Sequence, residues 1–404
     1  MRIAIKSNAK HGTSAYSIQA GQLDDQLKAA GHDTAIFADF GVKGGMLTIG
    51  GTPHYPSGRL EYSADVLPGH VAHFAPDLLI TLHDLMAIDP GLVRGFRDHG
   101  ISVWHWMPVD CSPLSVLDRT ILQMGGGQPI AMSRFGEAQL TEPQFGGFSD
   151  VWYVPHSIDT GLFRPYPAEA RRALRAQYGI DGKFAVAVNA MNKSTTRKGF
   201  YEAYKGFAGF HAEHPDSALL VHAADDGGGL DLAEAARVAG IPDGAIINPF
   251  GDAATQAYAI TTGMVSAGNM ALWYALADVG LMASWGEGFG IPAIEFQGCG
   301  VPIVATNCTA LTEVTPPGTS WRVPGQEVLN PDHKREWRIP SIPGITRALK
   351  SAYLAWKGPA YGARRKRARE FALRYDRDLV WKQYWEPLVS AEARRREDER
   401  AEGD

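Results

Sequence analysis

The stretch Val279–Thr306, VGLMASWGEGFGIPAIEFQGCGVPIVAT, constrains this chain more than any other. Val279–Ala283 is a short apolar run suited to a buried parallel strand. Three glycines follow within Ser284–Gly290, then Ile291-Pro292, with proline fitted to the first turn of a helix. Gly298 and Gly300 stop that helix, and Val301–Ala305 is the next strand. A strand, a glycine-rich loop and a helix start gather backbone N–H groups and a positive helix end at one point, a site for a phosphate or diphosphate. Glu287 and Glu295 flank it, and a carboxylate beside a diphosphate would repel it. Both acids must face other groups, and sugar hydroxyls are the evident donors, because one carboxylate accepts two hydroxyls of a diol. Acids in the first turn of a helix can be merely stabilising. Two acids, three glycines and a proline in so short a stretch argue for a binding site instead.

The chain of 404 residues is long enough for two domains, and its 45% hydrophobic and 21% charged residues describe a globular protein. A net charge of −5 gives no general attraction to nucleic acid or anionic membrane. Three cysteines, Cys111, Cys299 and Cys308, have neither metal spacing nor a disulfide pattern, which fits a reducing cytoplasm. Met1–Ile5 runs directly into a strand with no signal peptide, and no apolar run is long enough to span a bilayer.

Arg2–Ser7 reads as a first strand, Ala15–Ala30 as a helix ending at Gly31, and Thr34–Ala38 as a second strand, the order of a parallel α/β sheet. The loop between carries one glycine, Gly12, and is no nicotinamide fingerprint. Phe40–Pro68 is an excursion or hairpin. Leu78–Leu82 and Ile101–Trp106 are further strands, which places His83, Asp84, His105 and Asp110 at the carboxyl ends where ligands of open α/β sheets bind. In the second half, Phe184–Asn189 is a strand, followed by MNKSTTRKGF and a helix over Tyr201–His214. Lys193, Arg197 and Lys198, between a strand and a helix start, are placed to neutralise a diphosphate. Val323–Pro343 reads as irregular, and Gly362–Leu388 as one long helix headed by a basic run that reads as a solvated face. The mixed-charge residues 391–404 read as a frayed tail.

EGFGIPAIE resembles the Glu-x7-Glu signature of retaining glycosyltransferases of the GT-B fold, family 4. Val151–Pro165, VWYVPHSIDTGLFRP, is similar to that family's inter-domain segment at Pro155, Asp159, Phe163 and Pro165. Lys198-Gly199 matches its Lys-Gly pair, with Lys193 as the earlier cation, although the usual Gly-Arg is replaced by Asn189-Ala190. The resemblance implies an α/β GT-B architecture of two Rossmann-like domains facing across a cleft, with a C-terminal helix crossing back to the first. The domains would be 1–164 for the acceptor, with 371–390 packing back on it, and 165–370 for the nucleotide-sugar donor. It implies sugar transfer from a nucleotide-diphosphate donor with retention, no cofactor and no metal ion. Glu287 with Gly288, Phe289 and Gly290 would hold donor sugar and diphosphate, and Glu295 the ribose. Lys193, Arg197, Lys198 and Gly12, flanked by His11 and Thr13, would meet the donor. His105, with His83 as its alternative, would stand near the transferred sugar, so the catalytic set is His105, Lys198 and Glu287. Phe250 and Gly251 would pack on the base. The acceptor would be a small molecule, glycan, lipid-linked sugar or protein. Duplex DNA is not expected, because residues 1–150 hold ten Lys and Arg against fifteen Asp and Glu. A GT-B epimerase or phosphorylase, or a non-catalytic sugar-nucleotide-binding module, remain as alternatives.

Overall fold

The structure, a computed structural model, describes residues 1–223, 228–249, 265–330 and 334–403. Phe250 and Gly251 lie outside the described residues. The chain divides into two compact units. Unit 1 is Met1–Val109, Pro113–Ser157 and Arg377–Asp404. Unit 2 is Asp110–Ser112 and Ile158–Asp376.

Among the described residues, unit 1 is built on an eight-stranded sheet. Its strands are β1 (Arg2–Ser7), β2 (Asp33–Ala38), β3 (Leu47–Ile49), β4 (Thr52–Tyr55), β5 (Leu78–Leu82), β6 (Ser102–Met107), β7 (Gln128–Ala131) and β8 (Trp152–Tyr153). The order is β3-β4-β2-β1-β5-β6-β7-β8, parallel except where β3 turns back on β4. β1, β2 and β5 are buried almost end to end, as apolar strands covered on both faces must be.

Unit 2 carries β9 (Phe184–Asn189), β10 (Ser217–His222), β11 (Ile246–Ile247), β12 (Val279–Met282), β13 (Ile303–Thr306) and β14 (Ser320–Val323). They run parallel in the order β11-β10-β9-β12-β13-β14. The order reverses between β9 and β12, and the carboxyl ends of those two strands are where ligands of such sheets collect. The helices Phe200–His211 and Ile342–Lys357 cover one face, where Phe184, Val186, Phe207, Phe210, Ile345 and Leu349 close the core.

Three readings of the sequence are corrected here. Residues 323–343 are not irregular: β15 (Gly325–Asn330) and β16 (Arg335–Pro340) form an antiparallel hairpin. Val328 opposes Trp337, and Arg338 reaches Glu327 at 2.6 Å across the pair. The long C-terminal helix is interrupted. It runs over Tyr361–Ala372, breaks at Asp376, which is extended (φ −60, ψ 137), and resumes at Arg377. Asp376 accepts the Thr160 hydroxyl at 2.5 Å, and Ile158 N donates to the Tyr375 carbonyl at 2.9 Å. Those bonds hold extended backbone where the chain passes between units, so the unit boundaries fall after Ser157 and Asp376 rather than at 164 and 370. The charged C-terminus is helical over Glu386–Gly403 rather than frayed. Glu392 binds Arg395 and Arg396 along the helix, and Arg396 donates to the carbonyls of Gly100 and Asp77.

In β12, Gly280 lies under the helix Ile291–Gly298. A Cβ there would come within 2.8 Å of Phe296 and Ile303. Gly280→Ala is expected to destabilise the chain by about 1–3 kcal/mol through overpacking. A urea midpoint equal to the parent's would show that this helix does not sit on the strand as described.

Candidate active site

The loop after β12 and the turn after β9 meet within unit 2. Trp285 N donates to the Arg197 carbonyl at 2.8 Å, joining the two segments. Glu287 N donates to Thr309 Oγ1 at 2.9 Å, tying the loop to the turn after β13. Glu287, only 9% exposed, takes Lys198 Nζ and Ser284 Oγ on Oε1, each at 2.6 Å. Arg197 lies 3.8 Å from Glu287 Oε2 and 3.5 Å from Asp110 Oδ2, and donates to the Gly286 carbonyl at 3.4 Å. Arg335 stands 3.9 Å from the other Asp110 oxygen.

The electrostatics follow from this packing. Burial alone would push the Glu287 carboxyl up, but Lys198, Arg197 and the Ser284 hydroxyl hold it below its usual value. Lys198 is lowered, first by burial and then by Arg197, against the pull of Glu287. Gly290 caps the helix Ile291–Gly298 in the left-handed region, φ +93, where a residue with a Cβ is strained. A glycine cap has no side chain to occupy the helix's positive end. The arrangement presents two cations, a carboxylate and a helix start together, and it can bind a diphosphate beside a hydroxylated group.

Glu295 lies one turn into the same helix. Its Oε2 accepts the Tyr274 hydroxyl at 2.5 Å, and Tyr274 accepts from Asn189 Nδ2 at 2.5 Å. His222 Nδ1 lies 2.9 Å from Asn189 Oδ1. Burial raises the Glu295 carboxyl to about 7, against the lowering by Tyr274.

The structure brings together Arg197, Lys198 and Glu287, with Gly288 and Gly290 in the same loop and Glu295 one turn into the helix that follows it. Phe289 contributes backbone only: its side chain is buried 5.7 Å from the Tyr375 ring. Lys193 is exposed in the turn after β9 and makes no ion pair among the described residues. Gly12 lies in unit 1, where its amide donates to the Ala9 carbonyl and the start of the helix Ala15–Ala29 crowds it.

His105 does not stand at a strand end. β6 runs on through Met107, so His105 lies inside the sheet opposite Thr81. It is 1% exposed, with Nδ1 2.9 Å from Thr81 Oγ1 and Nε2 3.1 Å from the Gly126 carbonyl. Both ring nitrogens are used, and burial lowers its pKa to about 4. The strand-end histidine is His83, which follows β5. Its Nε2 is 2.7 Å from Asp39 Oδ2, and Lys6 Nζ is 2.5 Å from the same oxygen. Burial pushes Asp39 up, but His83 and Lys6 bring it below the ordinary range. Tyr16 and Tyr62 flank His83 edge-on, with ring centroids 5.4 and 5.9 Å away. Ser284, Thr309, Tyr274 and Asn189 were not singled out by the sequence. Tyr274 sits on the helix Ala267–Leu276, and only the fold puts it against Glu295.

The raised Glu295 pKa sets a pH dependence. Between pH 4.5 and 7 the folded chain keeps a proton that the unfolded chain releases, so this group lowers stability as pH rises through that window. Glu295→Gln removes the effect and gains stability over the parent from pH 5 to 7, by at most about 1.4 kcal/mol per pH unit. Urea midpoints of both proteins at the two pH values measure it, and a difference independent of pH would contradict the raised Glu295 carboxyl.

Residues 239–333, which include this loop, match the family model for glycosyl transferases group 1. A D-inositol 3-phosphate glycosyltransferase of Arthrobacter sp. (strain FB24) is 28% identical over 192 residues, 46% of this chain and 41% of that protein. A GDP-mannose-dependent alpha-(1-6)-phosphatidylinositol monomannoside mannosyltransferase of Mycolicibacterium smegmatis is 26% identical over 210 residues, 50% of each chain. The chain thus spans about half the length of these curated relatives. Sucrose-phosphate synthase from Thermosynechococcus elongatus shares the fold with a TM-score of 0.73 at 17% identity, over 97% of this chain and 100% of that one. The two parallel-sheet units have the GT-B fold, and the stretch that carries the glycine-rich loop is similar to the group 1 glycosyltransferases.

Proposed function

We propose that this chain moves a sugar from a nucleotide-diphosphate donor to a hydroxyl acceptor, with retention at the anomeric carbon and no metal ion. One observation carries the reading. Lys198 and Glu287 are paired at 2.6 Å beside a helix start, so the site holds a cation for a diphosphate and a carboxylate for sugar hydroxyls. Lys198, Arg197 and the leading N–H groups of the helix Ile291–Gly298 take up the charge that develops on the leaving diphosphate. Glu287 and the backbone of Gly288 and Gly290 orient the sugar, and Glu295 accepts the ribose hydroxyls. The anomeric C–O bond to the diphosphate breaks while the acceptor oxygen bonds the same face. The acceptor's proton passes to the departing phosphate oxygen.

In unit 1 we assign to His83, rather than His105, the part of the histidine offered to a ligand. The names of two relatives specify inositol phosphate or phosphatidylinositol monomannoside as acceptors. An inositol-like polyol is therefore the acceptor class to test first, with GDP-mannose and UDP-glucose among the donors.

The test is nucleoside diphosphate release from a panel of nucleotide sugars, with and without EDTA. Release should continue in the chelator, and loss in EDTA restored by manganese would contradict the metal-independent reading. Glu295→Gln should weaken the nucleoside diphosphate alone by about 1.5–3 kcal/mol, roughly 10- to 150-fold. Unchanged affinity would remove Glu295 from the ribose.

A further inference from the structure

Unit 2 has a second charged concavity, at the opposite end of β12 from the donor loop. Asp278 immediately precedes β12, and Glu287 follows its far end. The four-residue strand alone separates them by on the order of 13 Å. A cavity of about 360 Å³ opens there, lined by Arg171, Arg172, Arg175 and Arg365 with Tyr166 and Trp356 on its walls. The only acids in the lining are Asp278 and Asp181.

The four guanidiniums are not equivalent. Arg171 reaches Asp278 Oδ1 at 2.7 Å and the Ala275 and Ala277 carbonyls at 2.7 and 2.9 Å. Arg175 reaches Asp278 Oδ2 at 3.2 Å, the Ile180 carbonyl at 3.0 Å and the Leu276 carbonyl. Asp278 also accepts from Ala185 N at 2.9 Å, so its charge is consumed within the wall. Arg172 and Arg365 have no ion pair among the described residues. Asp181 is exposed at the rim. Four cations against two anions leave the cavity with an excess of two positive charges. The helix Ala168–Gln177 also starts at this cavity. Pro167 caps it without a side-chain hydrogen bond, which adds a positive helix end.

We propose that this cavity is a second ligand site, which takes a phosphate monoester carried on a sugar or nucleoside. Arg172 and Arg365 grip the phosphate, as guanidinium forks suit its oxygens, while Arg171 and Arg175 keep the wall in place through Asp278. Tyr166 and Trp356 face the ring, and the volume lies in the range of small-molecule pockets. Nothing in the proposed transfer reaction uses this end of the sheet.

Calorimetric titration of the full chain tests it, with inorganic phosphate, glucose 6-phosphate, AMP and phosphatidylglycerol vesicles as separate arms. Glucose 6-phosphate or AMP should bind at least tenfold more tightly than inorganic phosphate. That binding should weaken at least tenfold in R172A/R365A, whose side chains make no ion pair among the described residues. The single variants R172A and R365A should each lose part of it, which serves if the double variant folds poorly. The proposal is overturned if neither monoester binds, if the variants bind as the parent does, or if only the vesicles bind. These outcomes do not depend on whether the chain turns over nucleotide sugars.

Discussion

The ion pair between Lys198 and Glu287 organises the glycine-rich loop of unit 2. Removing a lysine and a glutamate from water costs several kcal/mol each, and their attraction must offset that with good geometry and added hydrogen bonds. The structure supplies both. The Ser284 hydroxyl shares the Glu287 oxygen with Lys198, Arg197 stands on the other side, and the Glu287 amide is fixed by Thr309. The glycine-rich loop is therefore held by its own charges before a ligand arrives. A diphosphate and a sugar diol carry the complementary groups, so they can replace the partners that Lys198 and Glu287 offer each other.

Unit 1 uses the same device with different chemistry. Lys6, Asp39 and His83 meet at the ends of β1, β2 and β5, and all three are nearly excluded from solvent. Asp39 Oδ1 has no hydrogen-bond partner among the described residues. The carboxylate fixes the imidazole edge that faces it, and Tyr16 and Tyr62 fix the ring from the sides. A histidine so restrained is set in position at a strand end, where His105, sealed between Thr81 and Gly126, is not.

The strands were the most legible part of the sequence. β5 and β9 have the limits their apolar runs suggest, because a strand buried on both faces is a continuous hydrophobic word. The strand, glycine-rich turn and helix start over Val279–Gly298 were legible because glycine and proline sit where a tight turn and a first helical turn need them. The β15–β16 hairpin was not, because its residues are largely exposed and prolines punctuate it, so its pairing rests on cross-strand partners rather than on burial. The break at Asp376 was hidden for a different reason. No proline interrupts Tyr361 to Trp385, and bonds with Thr160 and Ile158, more than 200 positions away, hold extended backbone there. His105 was misplaced because β6 runs one residue past Trp106, to Met107, a margin that pattern reading does not resolve. Tyr274 and Asn189 were invisible as partners of Glu295, since no local signal joins positions on three separate elements.

The central claim is that Glu287 serves the sugar while Lys198 serves the diphosphate. The most direct measurement compares Glu287→Gln with the parent in two assays: affinity for the nucleoside diphosphate alone, and its release from the nucleotide sugar. The substitution frees Lys198 from its partner but removes the carboxylate from the sugar. The account predicts nucleoside diphosphate affinity equal to or tighter than the parent's, with release slowed by about a hundredfold or more. Weakened nucleoside diphosphate binding, or release at the parent's rate, would contradict it.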